Sequence, residues 1–437
     1  MSTGVSTQPS QDESRGLVRA IGRWSLVALV INTCIGGGIF GVPTVAASLV
    51  GKDAWLAWLI GGAANAPVMA CYAEVGSRFR VAGGSYIFAR AALGRLAAIQ
   101  VGWFSLLIRV LSAAGVANVF VGYLSSFFPT MTQPAKRAMV LAGVLGGLAI
   151  INVLGVRSGA ALSNVFTVSK LVPLFLLASV GGILALLHGS SGGVSVEPVA
   201  DPQWLRAILL MGYGYGGYDT AMMPLGESKN PQRDVPFALG VSLAVMVALF
   251  IVIQAVTTYW VGIPVTDHPL ADAAQRFLGG AGVTIVSLGA LISCFGHMSG
   301  NVLGVPRVTF ALAQNGDFPG FFGSVHRRFR TPWISIILFA GFVWTFANFG
   351  SFRWNAFVSS AGRLVVYCSV AVALIMLRRR EHEPAPFTLP GGVGIALVAI
   401  AICGFLLSQM GGGELVVMLI TLAVGTLNWV WARRKAT

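Results

Sequence analysis

Apolar runs of about 20 residues recur along the whole chain, separated by short polar or glycine- and proline-bearing connections. At the helical rise of about 1.5 Å per residue, each run is long enough to cross a hydrocarbon layer about 30 Å thick. The pattern predicts twelve spans: 25–48, 54–75, 96–126, 137–154, 162–187, 204–226, 236–262, 281–304, 333–349, 355–377, 391–410 and 415–432. The run at 96–126 is longer than a perpendicular crossing needs, so it leaves the apolar layer or tilts. The 305–332 connection has room for a short amphipathic helix. These features predict an all-α integral membrane protein with one transmembrane domain over 21–433, an N-terminal tail over 1–20 and a short C-terminal tail over 434–437.

Composition supports this reading. The chain has 437 residues, 56% hydrophobic and 10% charged, against roughly 25% charged in ordinary soluble domains. Its formal charge of +14 raises the question of nucleic acid, which the distribution of the basic residues answers. With a cytoplasmic N-terminus and twelve crossings, 20 of the 29 lysines and arginines fall on the cytoplasmic side, six fall opposite, and Arg109, Lys170 and Arg363 lie inside spans. That asymmetry follows the positive-inside rule and predicts cytoplasmic termini in the inner (cytoplasmic) membrane. No nucleic-acid partner is expected. Residues 1–15 lack a basic start followed by a cleavage site, so no removable signal peptide is expected. Cys34, Cys71, Cys294, Cys368 and Cys403 all fall in spans without paired spacing and are expected as free thiols.

Two spans carry helix-weakening clusters. The first reads INTCIGGGIFGVP, with Gly36, Gly37 and Gly38 ahead of Pro43; the sixth holds Gly212, Gly214, Gly216 and Gly217 ahead of Pro224. They sit five spans apart and so cross in opposite senses, a pattern that points to inverted repeats with a midplane site between half-helices. Unwound backbone is tolerated in a membrane only where it is buried or lines a cavity. Its amides suit a carboxylate and its carbonyls an ammonium. Close packing against neighbouring helices is the other use of such glycines. Residues 212–217 also read G-x-G-x-x-G, but inside an apolar span and without a βαβ unit the match to a dinucleotide fingerprint is chance.

Several segments resemble the amino acid-polyamine-organocation superfamily, in particular its bacterial amino acid permeases. IGGGIFGVP is similar to the first-helix signature, and AEVGSRFRVAGGSYIFARAALG to the loop after helix 2, with Arg80 where proline is common. GYGGYDTAMMPLGESKNPQRDVPFAL is similar to the sixth-helix signature and its tail. PRVTFALAQNGDFPGFFGSVHRRFRTP resembles the segment joining helices 8 and 9, and LRRREHEPAPFTLPGG the connection from helix 10 to helix 11. The resemblance implies a LeuT-type inverted repeat of five plus five helices with broken helices 1 and 6, two peripheral helices, and alternating access around a midplane site.

By this resemblance the substrate-binding positions are Thr33, Cys34, Ile35, Gly36, Gly37 and Gly38 in the first helix and Tyr213, Tyr215, Gly216 and Gly217 in the sixth. The glycine amides would hold a carboxylate, the carbonyls before them an α-ammonium, and Tyr213 would sit near an aromatic gate. Lys170 lies deep in the fifth span, where a cation is costly unless paired or deprotonated. The resemblance puts it where sodium-coupled relatives hold their ion, and so implies proton coupling or exchange; a fixed cation bridging two helices is the structural alternative. Asp219 is the other candidate for proton movement, or else a structural group with Arg109 or Arg363 as partner. Glu227, Lys229 and Arg233 read as a solvated face or gate network.

The expected function is secondary active amino acid transport, proton-coupled, with a neutral L-amino acid as substrate, because carboxylates that would receive a cationic side chain are scarce. A cationic amino acid or polyamine exchanger is the alternative within transport. A membrane enzyme would need a catalytic constellation, yet no H-E-x-x-H or G-x-S-x-G occurs and only His297 of five histidines lies in a span. No repeated filter loop marks a channel. A receptor on the same fold is left open, as is the oligomeric state; the lipid bilayer is an expected partner, and no cofactor or metal is expected.

Overall fold

The apolar runs are helices in the computed structural model, which describes residues 22–79, 83–155, 170–189, 193–196, 198–222, 230–263, 266–380 and 385–434. In chain order these are α1 (Arg23–Cys34), α2 (Gly38–Val50), α3 (Ala54–Arg78), α4 (Ser85–Leu93), α5 (Arg95–Ser125), α6 (Pro134–Leu154) and α7 (Lys170–His188). They continue with α8 (Trp204–Tyr215), α9 (Tyr218–Ala221), α10 (Pro231–Val261), α11 (Pro269–Gln314), α12 (Trp333–Phe349), α13 (Phe352–Arg380), α14 (Gly392–Leu407) and α15 (Gly412–Arg434). Among the described residues there is no strand, eight helical stretches are long and apolar enough to cross a membrane, and α1, α12 and α14 are shorter apolar helices. The expected N-terminal tail, the start of the fifth span, Arg80, Pro224, Glu227 and Lys229 lie outside the described residues.

Burial is arranged for an apolar solvent. Leu186 and Phe349 are 85% and 84% exposed, whereas Glu74, Asp317 and Asn355 are fully buried. A water-soluble fold would expose the second group and hide the first. The long helix α5 lies at the centre, in contact with α4, α11, α12, α13 and α15, while α3 packs against α8, α10 and α13. Small residues such as Ala113, Ala114, Gly115 and Ala117 on buried α5 let these neighbours approach closely.

The structure shows the two expected interruptions and departs from the sequence pattern at two other places. The expected span 25–48 is two helices, α1 and α2, interrupted at Ile35–Gly37. The span 204–226 likewise stops at Tyr215 and restarts at Tyr218. The span 281–304 is only the middle of the 46-residue α11, which kinks at Gly279 (φ 60°). The amphipathic helix expected in 305–332 is instead the end of α11 followed by a short turn at Gly320–Gly323. Val302, Val305, Thr309 and Leu312 continue the buried face of α11 past Pro306 at helical spacing, so packing carries the helix through a residue that ordinarily breaks it. The amphipathic helix lies elsewhere, at α4, whose Ser85, Phe88, Ala89 and Ala92 are buried.

One end of the bundle is fixed by buried charge. Arg378 on α13 donates from Nε and Nη2 to the two Glu74 oxygens at 2.7 and 2.6 Å, and the Leu389 amide donates to Glu74 Oε2 at 2.9 Å. Asp317, just past α11, accepts from Arg95 Nε at 2.7 Å, from Arg90 Nη1 at 3.0 Å and from the Tyr86 hydroxyl. Removing one partner of such a buried pair leaves the other charge stranded. We expect Glu74→Gln to lower stability by on the order of 3 kcal/mol, and Glu74→Gln with Arg378→Met to recover part of the loss. Thermal unfolding of the purified protein in detergent measures both, and equal stability of Glu74→Gln and the wild type would contradict the assignment.

Candidate functional site

The two helix interruptions meet. A Cβ built on Gly217 would lie 2.6 Å from the Thr33 carbonyl oxygen, and Gly217 has φ +131°, so both space and backbone demand glycine there. On the other side of the same break, Gly216 receives the Arg363 guanidinium, which would lie 2.3 Å from an added Cβ. Gly212 and Gly214, by contrast, are helical residues of α8, packed against Ser360 and Trp58. Gly38 likewise begins α2 rather than lying in the break, with the Tyr213 ring against it.

A cavity of about 260 Å³ opens at this junction. Of the residues singled out from the sequence, Thr33, Lys170, Gly216, Gly217 and Asp219 line it. Cys34, Ile35, Gly36, Gly37, Gly38, Tyr213 and Tyr215 do not. Gly36 is covered by the His297 ring, Gly37 by Val116 and Cys294, and Gly38 by Tyr213. The Tyr213 hydroxyl donates to the Ser112 carbonyl at 3.0 Å, and its ring meets Phe352 edge-on at 5.6 Å. Tyr215 points elsewhere and donates to the Trp58 carbonyl at 2.7 Å.

Lys170 is buried at the C-terminal end of α1, where its ammonium donates to the Asn32 carbonyl at 2.6 Å and the Ile35 carbonyl at 2.8 Å. Helix ends leave carbonyls without intrahelical partners and carry the negative end of the helix dipole, so a cation fits here on two counts. Asp219, in the first turn of α9, lies 3.5 Å from Arg109 Nη2 on α5 and 3.5 Å from Arg363 Nη1 on α13. Arg363 Nη2 also approaches Ser112 Oγ at 3.3 Å.

Arg109 and Arg363, named from the sequence only as candidate partners of Asp219, and His297, named only as the histidine within a span, all line the cavity, together with Asn32, Ser112, Ser293 and Asn301. The signal available for them was their ionisable character inside apolar spans, which marks functional positions in membranes. The polar Ser and Asn residues carried no such signal. Gly300 and Gly304 on α11 belong to the same lining, and among the described residues nothing lies within 4 Å of a Cβ built on either.

The profile of the amino acid permease family matches residues 21–432, nearly the whole chain. The chain belongs to the amino acid permease family. This family, of the amino acid-polyamine-organocation superfamily, is one of transporters rather than enzymes, and the permease is accordingly a multi-pass membrane protein. It is similar to the methylthioribose transporter of Bacillus subtilis, at 28% identity over 99% of this chain and 97% of the relative. It is also similar to the branched-chain amino acid permease BcaP of the same organism, at 26% identity over 96% and 94%. The cationic amino acid transporter 4 of Mus musculus is 26% identical over 84% of this chain and 61% of its own length.

Gly217 is the residue with least freedom in the permease's cavity wall. We expect Gly217→Ala to cost about 1–3 kcal/mol through backbone strain and contact with the Thr33 carbonyl, while Gly341→Ala, in open space on α12, is neutral. Thermal unfolding of the two variants side by side measures this; comparable losses would show the junction to be less constrained than its geometry indicates.

Proposed function

We propose that this permease is a secondary active transporter that moves amino acids across the cytoplasmic membrane by alternating access, with the cavity at the two interruptions as its substrate site. The observation that carries the reading is the contact of Gly217 with the Thr33 carbonyl at the wall of a buried cavity. Backbone released from helical bonding at this depth has a reason to persist if it binds substrate. In this reading the chain crosses twelve times. Ten core helices form two inverted repeats of five, with α1–α2 and α8–α9 as the broken first and sixth spans, α14 and α15 are peripheral, and both termini are cytoplasmic. The asymmetry of the basic residues supports that orientation.

The substrate ammonium takes the Thr33 carbonyl, with Gly216 and Gly217 opposite, and reaches the Cys34 and Ile35 carbonyls only as they leave the Gly36 amide and Lys170. Its carboxylate takes the amides of Gly36, Gly37 and Gly38 at the start of α2, where a helix N-terminus favours an anion. His297 and Tyr213 cover those glycines, so substrate seating moves both side chains, and Tyr213 acts as the gate. Tyr215 contributes by fixing α8 against α3 through Trp58. Lys170 bridges α1 and α7 as a stand-in for a coupling cation, and its loss and gain of a proton links transport to the proton gradient. Asp219 joins that path as the carboxylate between Arg109 and Arg363. With Arg109, Arg363 and Lys170 facing the cavity beside Asp219, a cationic side chain or polyamine is disfavoured. Neutral L-amino acids fit the head site.

Uptake into proteoliposomes, screened over amino acids and polyamines with and without an inward proton gradient, tests the reading. Accumulation of amino acids driven by the gradient is expected; failure to move any of them in either direction would defeat it. Lys170→Ala is expected to abolish gradient-driven accumulation while leaving exchange measurable, and unaltered pH dependence of uptake would remove the coupling role.

A further inference from the structure

At the end of the cavity that Tyr213 and Phe352 close, a segment outside the substrate site fastens α2 to α5. Residues 266–268, just ahead of α11, lie against both helices. Thr44 Oγ1 on α2 donates to the Thr266 carbonyl at 3.3 Å, and the Leu270 amide donates to the Tyr123 hydroxyl on α5 at 3.3 Å. A Cβ on Gly122 would lie 2.7 Å from the Asp267 carbonyl, so the approach is close as well as bonded. Tyr123 is fully buried and donates in turn to the Phe40 carbonyl at 3.0 Å. One hydroxyl thereby joins α11, α5 and the second half of the broken first span. Gly41, next along α2, packs against Phe352 and Val119.

A single carboxylate closes this segment on itself. Asp272, in the first turn of α11, accepts from the Thr266 hydroxyl through one oxygen and from His268 Nδ1 at 2.9 Å through the other. The His268 and Asp272 side chains are 24% and 21% exposed, so protons reach them from the surrounding water. The titratable groups that face His268 are Asp272 and Asp267 of its own segment and Tyr123 of α5, whose ring meets it edge-on at 6.4 Å. Thr44 of α2 carries no charge, and Arg137 of α6 acts on Asp267. Among the described residues neither aspartate forms an ion pair with a lysine or arginine. The hydrogen bond to Asp272 holds the His268 imidazolium above its ordinary value of 6.5, against the opposing effect of partial burial.

We propose that residues 266–272 are a clasp over the closed end of the cavity, fastened when His268 is protonated and loosened when it is neutral, so that acid on that face slows opening toward it. His268 binds its proton more tightly clasped than free. The fastening is therefore complete below the ordinary 6.5 and is lost as the pH rises through the higher value of the clasped state. That face is the outer one in the orientation proposed above. The slowing of the cycle rests on the alternating-access reading; the fastening itself does not.

Hydrogen–deuterium exchange of the full chain in nanodiscs, where both faces meet the buffer, reads the clasp directly. Wild type and His268→Gln are compared at the same pH, which cancels the intrinsic exchange chemistry, at about pH 5.5 and about pH 8.5 on either side of the histidine range. We expect peptides covering 266–272 to exchange about threefold more slowly in the wild type at the acid pH, the scale of a partly exposed ion pair, and at equal rates at the alkaline one. Counterflow of amino acids in proteoliposomes, with equal pH on both sides, is expected to be slower in the wild type than in His268→Gln at the acid pH only. Equal exchange in the two proteins at both pH values overturns the proposal, as does an equal difference at both, which marks a structural cap indifferent to protonation. Equal counterflow at acid pH overturns the slowing of the cycle. Should His268→Gln fail to fold, carbethoxylation of His268 in the wild type, followed across pH by mass spectrometry, reads its titration, and a midpoint at or below 6.5 overturns the proposal. A clasp that tightens in acid while no amino acid is carried leaves the fastening standing and defeats the transport reading instead.

Discussion

Backbone polar groups have no water to turn to inside an apolar layer, so each one must find a partner within the protein. Interrupting a helix there frees amides and carbonyls that a continuous helix would pair. The permease interrupts two helices at one place and meets the cost locally. Lys170 takes the carbonyls of Asn32 and Ile35, and Ser293 Oγ approaches the Gly36 carbonyl at 3.5 Å. The close contact of Gly217 with Thr33 brings the second break onto the first. The cavity, the charges around it and the helices that frame it follow from the need to hold these two breaks together.

The sequence segments that carry the family resemblance divide between two tasks. The GYGGYD stretch lines the cavity through Gly216, Gly217 and Asp219, and IGGGIFGVP lies just beyond the lining residue Thr33, with Gly38 packed against Tyr213. The segments around 73–94, 305–332 and 378–391 meet instead at the end of the bundle, where Glu74 joins Arg378 and Leu389 and where Asp317 joins Arg90, Arg95 and Tyr86. Asn428 of α15 adds a 2.6 Å hydrogen bond to the Asp317 carbonyl. These fully buried carboxylates are held by arginines that reach partway to the exterior, which spares the arginines most of the desolvation a wholly buried pair would pay. Three connections far apart in sequence thereby become one rigid base for α5, α11 and α13, the helices that carry Arg109, His297 and Arg363 to the cavity.

How much of this was legible in the sequence depended on whether the deciding quantity was local. Apolar run length is local, and it located the helices. A helix interruption is less so: Gly212, Gly214, Gly216 and Gly217 look alike in a row, but the first two are helical and accommodate Ser360 and Trp58, and only Gly217 has a positive φ. The neighbours that distinguish packing glycines from those at a break come from other helices. α4 was hidden because Gly83, Gly84 and Gly94 flank it and read as loop, and the end of α11 because Pro306 reads as a stop. The partnership of Asp219 with Arg109 and Arg363 spans 110 and 144 positions in sequence, and no spacing rule reaches that far.

The two ends of the cavity are packed differently, and the glycines report it. Toward the end where α5 finishes and α13 begins, a Cβ on Gly41 would lie 2.8 Å from both Phe352 and Val119, and one on Gly122 would lie 2.7 Å from the Asp267 carbonyl. Tyr213 closes the same side, its hydroxyl on Ser112 and its ring against Phe352. Toward the opposite end, nothing among the described residues lies within 4 Å of a Cβ built on Gly300 or Gly304. Under the alternating-access reading proposed above, a cavity sealed by close contact at one end corresponds to one half of the cycle. In that reading the other half of the cycle is reached by breaking the Tyr213–Ser112 bond and the Tyr213–Phe352 contact.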